Sequence, residues 1–361
     1  AEELTTGSYN VALGSYALEA TTTANWNTGI GYGALGTNTT GYSNVAIGYQ
    51  ALFDNTTGGP NTAVGHGSLA NNTTAWGNSC VGYYAGHNNT TGSNNSALGN
   101  EALEANTTGA SNVAIGFRAL EANTTASYNT AVGAESLDAN TTGGGNSALG
   151  TSTLGTNTTG SYNTAVGQGV LFANTTASNN VGVGYFALNS NTTGHGNTAV
   201  GKSSMTAITT GHRNTAIGME SMNVATTAIY NTGVGSYTLD ALTTGSYNTG
   251  MGMHSLGGVT IGNYNTGLGY SSGQGITEAS YNTAVGFQAL DDACTGDSNC
   301  SIGAFSLSAN TSGTENVACG NNALTTNTTG SYNVAVGRQA VNANTTANNI
   351  TGLGYRALYS N

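Results

Sequence analysis

Charged residues are scarce in this chain of 361 residues. Lys, Arg, Asp and Glu together make up 6% of the sequence, and proline occurs once. Five basic against 16 acidic residues leave a formal net charge of −11, which would repel nucleic acids and anionic membrane surfaces. The sequence contains no stretch of 18 apolar residues that could span a bilayer. We therefore expect neither a nucleic-acid partner nor insertion into a membrane.

Motifs for catalysis and for cofactor binding are also missing. The many Gly-x-Gly strings precede no helical pattern, which excludes phosphate-binding loops at helix N-termini. The Gly-Gly-x-Gly-x-Asp repeat of calcium-binding β-helices does not occur. The sequence thus predicts a protein that is not an enzyme and that carries no cofactor.

Glycine, in contrast, is abundant and recurs at a fixed period. A Gly closes a short apolar run at Gly14 and Gly31, and the series continues every 17 residues to Gly354, with 21 such glycines in all. We call each 17-residue repeat a coil and number its positions from this Gly, which is position 0. Position −1 is apolar in every coil, position −4 is Asn except for Ile350, and position +4 is usually Leu. Low-complexity disorder would produce a biased composition without such a fixed phase.

The period predicts the fold class. Seventeen residues are too few for a pair of helices but suit one coil of a β-solenoid. Thr, Val, Ile and Tyr fill the runs, and Gly, Asn and Ser lie between them, as expected for short strands joined by turns. The sequence therefore predicts an all-β protein, a parallel β-solenoid or β-roll of 21 coils. We expect residues 1–361 to form one continuous solenoid, with variant coils at roughly 202–295.

Neither end of the chain carries an atypical coil of the kind that caps a solenoid. We therefore expect a segment of a longer fibre, or a protomer whose ends are covered by the next one.

Alternation along each strand assigns its side chains to two faces. Because the large apolar residue is at position −1, we expect positions −1 and −3 to face the core with the Leu at +4, and position −2 to face outward. Position −2 is nevertheless almost always Ala or Gly, which indicates close packing against that face. A contact within the same chain would explain this, but the sequence favours a neighbouring copy around a threefold axis. The predicted oligomer interface comprises Ala46, Ala63, Ala97, Ala114, Ala131, Ala148, Ala165 and Ala199.

The repeated run Asn-[Ser/Thr/Val]-[Ala/Gly]-[Val/Ile/Leu]-Gly, as in 44–48, 95–99 and 129–133, resembles a known repeat. It is similar to the head repeat of YadA-like trimeric autotransporter adhesins and to repeats of phage tail fibres and bacterial surface-fibre proteins. The resemblance implies a left-handed parallel β-roll and a homotrimer. It also implies that Val45 and Ile47 fill the roll while Ala46 faces the trimer axis. This chain departs from the adhesins in its longer coil and in an added Asn-Thr-Thr segment.

That segment begins at position +7. Thirteen coils carry Asn-Thr-Thr or Asn-Thr-Ser there, formally an acceptor for N-linked glycans. From Ile208 to Ala293, however, six successive coils replace the Asn with Ile, Ala, Leu or Val. A position that accepts these residues is turned inward, where stacked Asn side chains can hydrogen-bond from coil to coil. The sequence favours this inward Asn ladder, with N-glycosylation as the alternative.

Acidic side chains coincide on three consecutive coils. Glu104, Glu121 and Asp138 share position +5, which holds no basic residue in these coils, and they are the candidate for a metal ion. At position +2 of the same coils Arg118 lies between two Glu residues, and we expect an exposed acid–base–acid ladder there.

The four cysteines include two unusual substitutions. Cys294 stands at position +8, elsewhere Thr, and Cys300 stands at position −3, elsewhere Thr, Val or Ser. A chain reversal between them could bring their Cα atoms within the distance that a disulfide requires, so we expect a Cys294–Cys300 disulfide. The alternative is four unrelated free cysteines, with Cys80 and Cys319 as small buried thiols.

These features together predict a non-enzymatic extracellular structural protein, a fibre or shaft that supports adhesion or receptor attachment. It would belong to a surface filament, an adhesin or a phage tail fibre, at a cell or virion surface. The expected partner is the chain itself, as a homotrimer or filament, with surface glycans or a host receptor as further partners. Two alternatives stay open. An ice-binding solenoid would use the Thr ladders at +8 and +9. A carbohydrate-binding tailspike would use Tyr230, Tyr247, Tyr264 and Tyr281, which share position +12.

Overall fold

Each repeat forms one short strand followed by a series of turns. The computed structural model describes residues 5–360, and within them every strand covers positions −3 to −1 while no helix occurs. The described residues form two compact units, 5–180 and 181–360. Each unit is a parallel β-solenoid, which confirms the predicted fold class and the 17-residue coil. That the whole of 1–361 is one continuous solenoid stays a prediction.

The first unit contains ten strands. They are β1 Val11–Leu13, β2 Thr28–Ile30, β3 Val45–Ile47, β4 Thr62–Val64, β5 Ser79–Val81, β6 Ser96–Leu98, β7 Val113–Ile115, β8 Thr130–Val132, β9 Ser147–Leu149 and β10 Thr164–Val166.

The second unit contains eleven strands. They are β11 Val181–Val183, β12 Thr198–Val200, β13 Thr215–Ile217, β14 Thr232–Val234, β15 Thr249–Met251, β16 Thr266–Leu268, β17 Thr283–Val285, β18 Cys300–Ile302, β19 Val317–Cys319, β20 Val334–Val336 and β21 Thr351–Leu353.

Within each unit, every strand pairs in parallel with the next. The register is always 17 residues, so that Val113 of β7 lies beside Thr130 of β8 and Ile115 beside Val132. As a result, each position of the repeat forms a row of equivalent side chains at the spacing of parallel strands, about 4.8 Å.

The Gly at position 0 is required by two features of the backbone. At Gly116 φ is +134°, a value that L residues rarely adopt, and a Cβ added there would lie 2.5 Å from the carbonyl oxygen of Gly133. The equivalent contact recurs from coil to coil. The 17-residue series of glycines therefore marks the point at which successive backbones approach too closely for any side chain.

The coil interior is filled mainly by small residues. The middle residue of every strand from β2 to β21, at position −2, is buried. Except in the last coil, where Leu358 is exposed, the Ala, Ser, Thr or Val at +3 and the Leu or its replacement at +4 are buried as well. These positions pack against one another: at Gly29 an added Cβ would lie 3.2 Å from Leu18 Cγ and 3.1 Å from the carbonyl oxygen of Ala34. Position −2 therefore holds only small residues, which are Ala or Gly in all coils but those of Cys80 and Ser301.

The expected assignment of the two strand faces is wrong. Ala46 is fully buried while Val45 and Ile47 on either side of it point outward. The eight alanines predicted to form an oligomer interface are at most 2% exposed in the single chain. They face the interior because the coil is too thin for two large apolar residues per strand, so the contact within the same chain is the correct explanation. They are Ala46, Ala63, Ala97, Ala114, Ala131, Ala148, Ala165 and Ala199.

The predicted Asn ladder at position +7 is confirmed. In the first unit the Nδ2 of each Asn from Asn55 to Asn174 donates to the Oδ1 of the Asn one coil earlier, at 2.7–3.0 Å. The same Nδ2 also donates to the carbonyl oxygen three residues later, as from Asn123 to Ala126. These amides are buried, so the folded chain leaves no space for an N-linked glycan on them. In the second unit Ile208, Ala225, Leu242, Val259 and Ile276 occupy the same inward position.

A second Asn ladder, at position −4, has no counterpart among the predictions. The Oδ1 of Asn27 accepts a hydrogen bond from the backbone N–H of Asn44 at 2.9 Å, and the Nδ2 of Asn27 donates to the carbonyl oxygen of Gly41. The same pattern recurs in both units. Each Asn at −4 thus satisfies one backbone donor and one backbone acceptor inside the turn that leads into the strand. The near-invariance of this Asn was the signal that could have revealed it.

One coil departs locally from the common register. Ala293, at +7 by sequence, is exposed, and Cys294 takes the inward place, where Asn310 Nδ2 donates to its Sγ at 3.4 Å. The backbone of Cys294 also forms an isolated parallel β-bridge with that of Ile276, the inward residue of the preceding coil. Relative to the other coils, the turn before Cys294 contains one additional residue. The turn after Cys294 contains one residue fewer, so that Gly296 is again buried at position +10.

Candidate functional site

The outer face of the strands carries an exposed aliphatic row. Position −1 carries Val, Ile, Leu, Met or Cys in every coil, and these side chains are exposed or half-buried. Ile47 is 38% exposed, Leu98 51% and Leu268 46%. Beside this row runs a second one, at position −3, of Thr, Val, Ser and one Cys. None of the 21 strands contains a charged residue, so the net charge of −11 is carried by other parts of the chain.

This outer strand face is large for a surface in contact with water. Ten strands at about 4.8 Å spacing and three residues at about 3.3 Å each give a face of about 48 by 10 Å, or about 500 Å² per unit. Exposed apolar patches of this size often mark interaction sites on soluble proteins. Two such faces packed together would bury about 1,000 Å², close to the lower limit of a specific protein–protein interface.

The predicted Cys294–Cys300 disulfide is wrong. All four cysteines are free thiols. Cys294 points into the coil and its Sγ contacts the carbonyl oxygen of Gly296, whereas Cys300 is a position −3 residue on the outer strand face. The wall of the coil therefore separates the two thiols. The prediction failed because it placed position −3 on the inside.

The environments of the thiols differ accordingly. Burial raises the pKa of the Cys80 thiol to about 12, which makes it inert near neutral pH. Cys300 and Cys319 stand at −3 and −1 of neighbouring strands β18 and β19, both half-buried on the outer strand face.

The acidic candidate for a metal ion is only partly assembled. Glu104 and Glu121 come together with Glu101, with one oxygen of each within 4.8 Å of the others, and Asp138 is not in this group. Arg118 pairs with Glu101 at 3.3 Å and with Glu121 at 2.7 Å. The guanidinium thus supplies the positive charge that a cation would have supplied. Of the expected ladder at +2, the Glu101–Arg118 pair is present, and the second partner of Arg118 is Glu121 of its own coil.

Two surface depressions of about 200 Å³ lie beside aromatic rings. One is lined by Glu135, Asp138, Ser152, Gly155, Thr156 and Phe172. Partial burial, with repulsion from Glu135 and Glu121, raises the pKa of the Asp138 carboxyl above its ordinary value. The other depression is lined by Tyr16, Glu19, Tyr32, Gln50 and Phe53.

Exposed aromatic side chains stack in rows along each unit. In the first unit the row at position +1 consists of Tyr32, Tyr49, His66 and Tyr83, whose successive ring centroids are 4.8–5.4 Å apart. In the second unit the row at position +12, here called the tyrosine row, consists of Tyr230, Tyr247, Tyr264 and Tyr281. Its planes are parallel to within 7°, so each inner ring covers the faces of its neighbours.

Threonine forms two further rows with different environments. At position +8 the hydroxyl groups bind the next coil, as Thr39 Oγ1 donates to the carbonyl oxygen of Thr56 at 3.0 Å. At position +9 the side chains are exposed in all ten coils of the first unit, from Thr23 to Thr176. In the second unit Ile261 and Glu278 interrupt this outer row.

None of the described residues forms a helix that is long and apolar enough to cross a bilayer. Comparison of the chain with protein-family models and with curated proteins finds no match.

Proposed function

We propose that the chain is a non-enzymatic structural protein, a fibre at a cell or virion surface that assembles from copies of itself and supports adhesion or receptor attachment. The observation that carries this proposal is the outer strand face, which is uncharged in both units and carries an exposed aliphatic row at position −1. At roughly 25 cal/mol per Å² of apolar surface, covering the aliphatic row at position −1, about half of the face of about 500 Å² in each unit, would contribute about 6 kcal/mol before the cost of association. A surface of this kind favours a partner.

The partner that fits this face best is a second copy of the chain. The face repeats at about 4.8 Å for ten or more coils per unit, and another copy offers the same spacing. The face is also neutral, so two copies can meet there without bringing acidic groups together, although each chain has a net charge of −11. A basic partner would find no complementary charge on this surface.

The resemblance of the repeat to adhesin heads and tail fibres supports the choice of adhesion and of an extracellular location. It also supports a closed homotrimer, with an open filament as the other assembly. The outer strand face replaces the alanine row as the proposed interface. Surface glycans or a host receptor would then bind to faces that remain free in the assembly.

Sedimentation and light scattering test the assembly. The double variant Leu98→Lys/Leu268→Lys places one charge on the outer strand face of each unit, and we expect it to be monomeric while the wild type is oligomeric at micromolar concentration. Circular dichroism should be unchanged, because both side chains are about half-exposed in the single chain. A molar mass three times that of the chain would indicate the trimer, and larger particles in electron micrographs would indicate a filament.

A matched control adds the same charges away from the face. Thr91 and Thr244 are exposed at position +9, and Thr91→Lys/Thr244→Lys should assemble like the wild type. A wild-type protein that is monomeric at micromolar concentration would contradict the proposal.

A second candidate function is ice binding, and the outer Thr row of the first unit is the observation that favours it. Ten exposed threonines in successive coils offer methyl and hydroxyl groups at a regular spacing of about 4.8 Å. Two features weaken this candidate. Only one row of threonines is exposed, and the rings of Trp26 and Tyr128 at position +12, which are 59% and 74% exposed, interrupt the flat surface that ice binding requires. A thermal-hysteresis assay decides: measurable hysteresis that Thr108→Tyr reduces would support ice binding.

The alternative of saccharide binding finds its support in the depression beside Phe172, where two carboxyl groups and two hydroxyl groups face an aromatic ring. The tyrosine row is less suitable, because the inner ring faces cover one another. Screening against a glycan array, with Phe172→Ala as the variant that should abolish any signal, tests this site.

A further inference from the structure

The tyrosine row of the second unit brings phenol groups of successive coils unusually close. The ring centroids of Tyr230, Tyr247, Tyr264 and Tyr281 are 5.1, 4.9 and 5.1 Å apart, and the planes differ by 4–7°. Each ring is 38–61% exposed, so a dissolved oxidant can reach it.

The backbone holds this arrangement in place. The N–H groups of Tyr247, Tyr264 and Tyr281 donate to the carbonyl oxygens of Ile229, Ser246 and Asn263, each at position +11 of the preceding coil, at 3.0–3.1 Å. These hydrogen bonds fix the backbone of each tyrosine against the turn that carries the preceding tyrosine. Only rotation about the side-chain bonds is then needed to bring two ring edges together.

We propose that the tyrosine row is a site of oxidative modification, at which a one-electron oxidant such as a peroxidase with hydrogen peroxide joins neighbouring coils through dityrosine bonds. Each of two phenols loses one electron and one proton and becomes a phenoxyl radical. A carbon–carbon bond then forms between the ring carbons ortho to the two oxygens, and the hydrogens on those carbons move to the oxygens. The two electrons and two protons reduce one hydrogen peroxide to two waters.

Proximity decides which tyrosines couple. Two radicals held side by side react as if at very high concentration, whereas a radical on an isolated tyrosine has to meet another chain. Coupling between neighbours links residues 17 apart and closes a short loop, which restricts the unfolded chain as a disulfide does. The modified protein should therefore resist urea better than the untreated one. The reaction lies within one chain, so it is independent of the proposed assembly.

Peptide mapping by mass spectrometry after treatment with peroxidase and hydrogen peroxide tests the proposal. We expect peptides that have lost two hydrogens and that join Tyr230 to Tyr247, Tyr247 to Tyr264 or Tyr264 to Tyr281, together with dityrosine fluorescence. Pepsin is the suitable protease, because no Lys or Arg occurs between Arg213 and Arg338. Three tyrosine pairs of the first unit are as close and should give further cross-links there: Tyr32–Tyr49 at 5.4 Å, Tyr16–Tyr32 at 5.3 Å and Tyr83–Tyr84 at 4.2 Å between ring centroids.

The variant Tyr247→Phe/Tyr264→Phe removes a phenol from every neighbouring pair of the row and keeps the stacked rings. It should fold as the wild type does and lose all cross-links in this region. Tyr128→Phe/Tyr162→Phe is the matched control: both residues are at position +12 and more than 70% exposed, but Gly145 separates them. This control should give the wild-type yield.

Two results would overturn the proposal. One is coupling mainly between chains, seen as dimers on a denaturing gel with few cross-links within the row. The other is coupling that involves Tyr128 and Tyr162 as often as the tyrosine row, which would show that exposure alone decides.

Discussion

The width of the coil interior is set at position −2, where the backbone of one coil faces the Leu of the preceding one. At Gly267 an added Cβ would lie 2.8 Å from Leu256 Cγ and 2.5 Å from Ser255 Oγ, so even a methyl group requires a shift there. Large aliphatic side chains at −1 and −3 therefore have no alternative to the outside. The same narrowness gives the amide ladder its stability, because stacked Asn side chains are flat and fill a thin space with satisfied hydrogen bonds.

The first prediction concerns a single rung of that ladder. Asn123→Leu leaves Asn106 Oδ1, which accepts from Asn123 at 2.9 Å, without its side-chain donor, and it leaves the next rung without its acceptor. A buried polar group without a partner costs about 1–3 kcal/mol. We expect the free energy of unfolding to fall by about 2 kcal/mol, as measured by urea denaturation.

The reverse change tests whether an Asn at position +7 stabilises the chain only when the adjacent coils also carry Asn there. Leu242 lies between Ala225 and Val259 in the row, and Leu242→Asn should also destabilise the chain because neither neighbour can bind the amide. The exposed substitution Thr125→Ser serves as the control. Unchanged stability in Asn123→Leu would mean that the ladder contributes nothing beyond filling space.

At the scale of the element, the two faces of each strand accept different side chains. Its middle residue is enclosed by the interior, and its flanking residues meet water or a partner. Three residues are also the whole strand, so no longer hydrophobic pattern compensates for a change at the middle position. The structure therefore separates substitutions that prevent folding from substitutions that prevent assembly.

Strand β8 allows the two effects to be compared at neighbouring residues. Ala131 is fully buried, and Ala131→Glu would place a carboxylate in a space without a partner for it, at a cost of several kcal/mol. Val132 points outward, and Val132→Glu should fold normally. Urea denaturation monitored by circular dichroism should show a large loss of stability for the first variant alone. Equal effects of the two variants would contradict the assignment of the faces.

The turn after the strand carries the acidic cluster, and there the predicted effect depends on pH. Burial raises the pKa of the Glu104 carboxyl, and repulsion from Glu101 and Glu121 adds to this effect. The folded chain therefore favours the protonated form, so the contribution of Glu104 to stability is greatest in acid and is lost as the pH rises through its raised pKa.

Glu104→Gln should therefore stabilise the folded chain slightly at pH 7, and the difference from the wild type should vanish in acid, where Glu104 is protonated in both states. Urea denaturation over a series of pH values measures this. Glu278→Gln, which removes the same charge from an exposed turn, is the control. A variant that is less stable than the wild type at pH 7 would show that the carboxylate makes a favourable interaction instead.

At the scale of the whole molecule, the period could be predicted completely because each of 21 coils repeats the same information. The direction in which side chains point could not, because the rule that large apolar residues lie inside assumes an interior wide enough to hold them. The positions that face the interior could have been recognised by the small residues at −2, +3 and +10, which are buried. The shift that places Cys294 inside could not be predicted either, because Ala293 and Cys294 are both small enough for the inward place.

A fixed period also predicts how the chain should respond to the loss of a coil. Deleting residues 124–140 removes 17 residues and joins Asn123 to Thr141, which restores the Asn-Thr-Thr sequence and leaves every later residue at its position. Since the stability of a repeat array is approximately a sum over neighbouring repeats, this variant should fold with only a small loss. Deleting residues 124–139 instead removes 16 and puts Asn140 directly after Asn123.

In that shorter deletion every later side chain of the unit moves by one position relative to the coils before it. Gly116 would then meet Leu149 in place of Gly150, and a Cβ has no room at that contact. The chain can restore the register only by absorbing one residue in a turn, as the coil of Cys294 does. We therefore expect the 16-residue deletion to be clearly less stable in urea than the 17-residue deletion, although it is one residue closer to the wild type. Equal stability of the two variants would mean that the turns absorb a lost residue easily, and that contacts from coil to coil do not impose the 17-residue period.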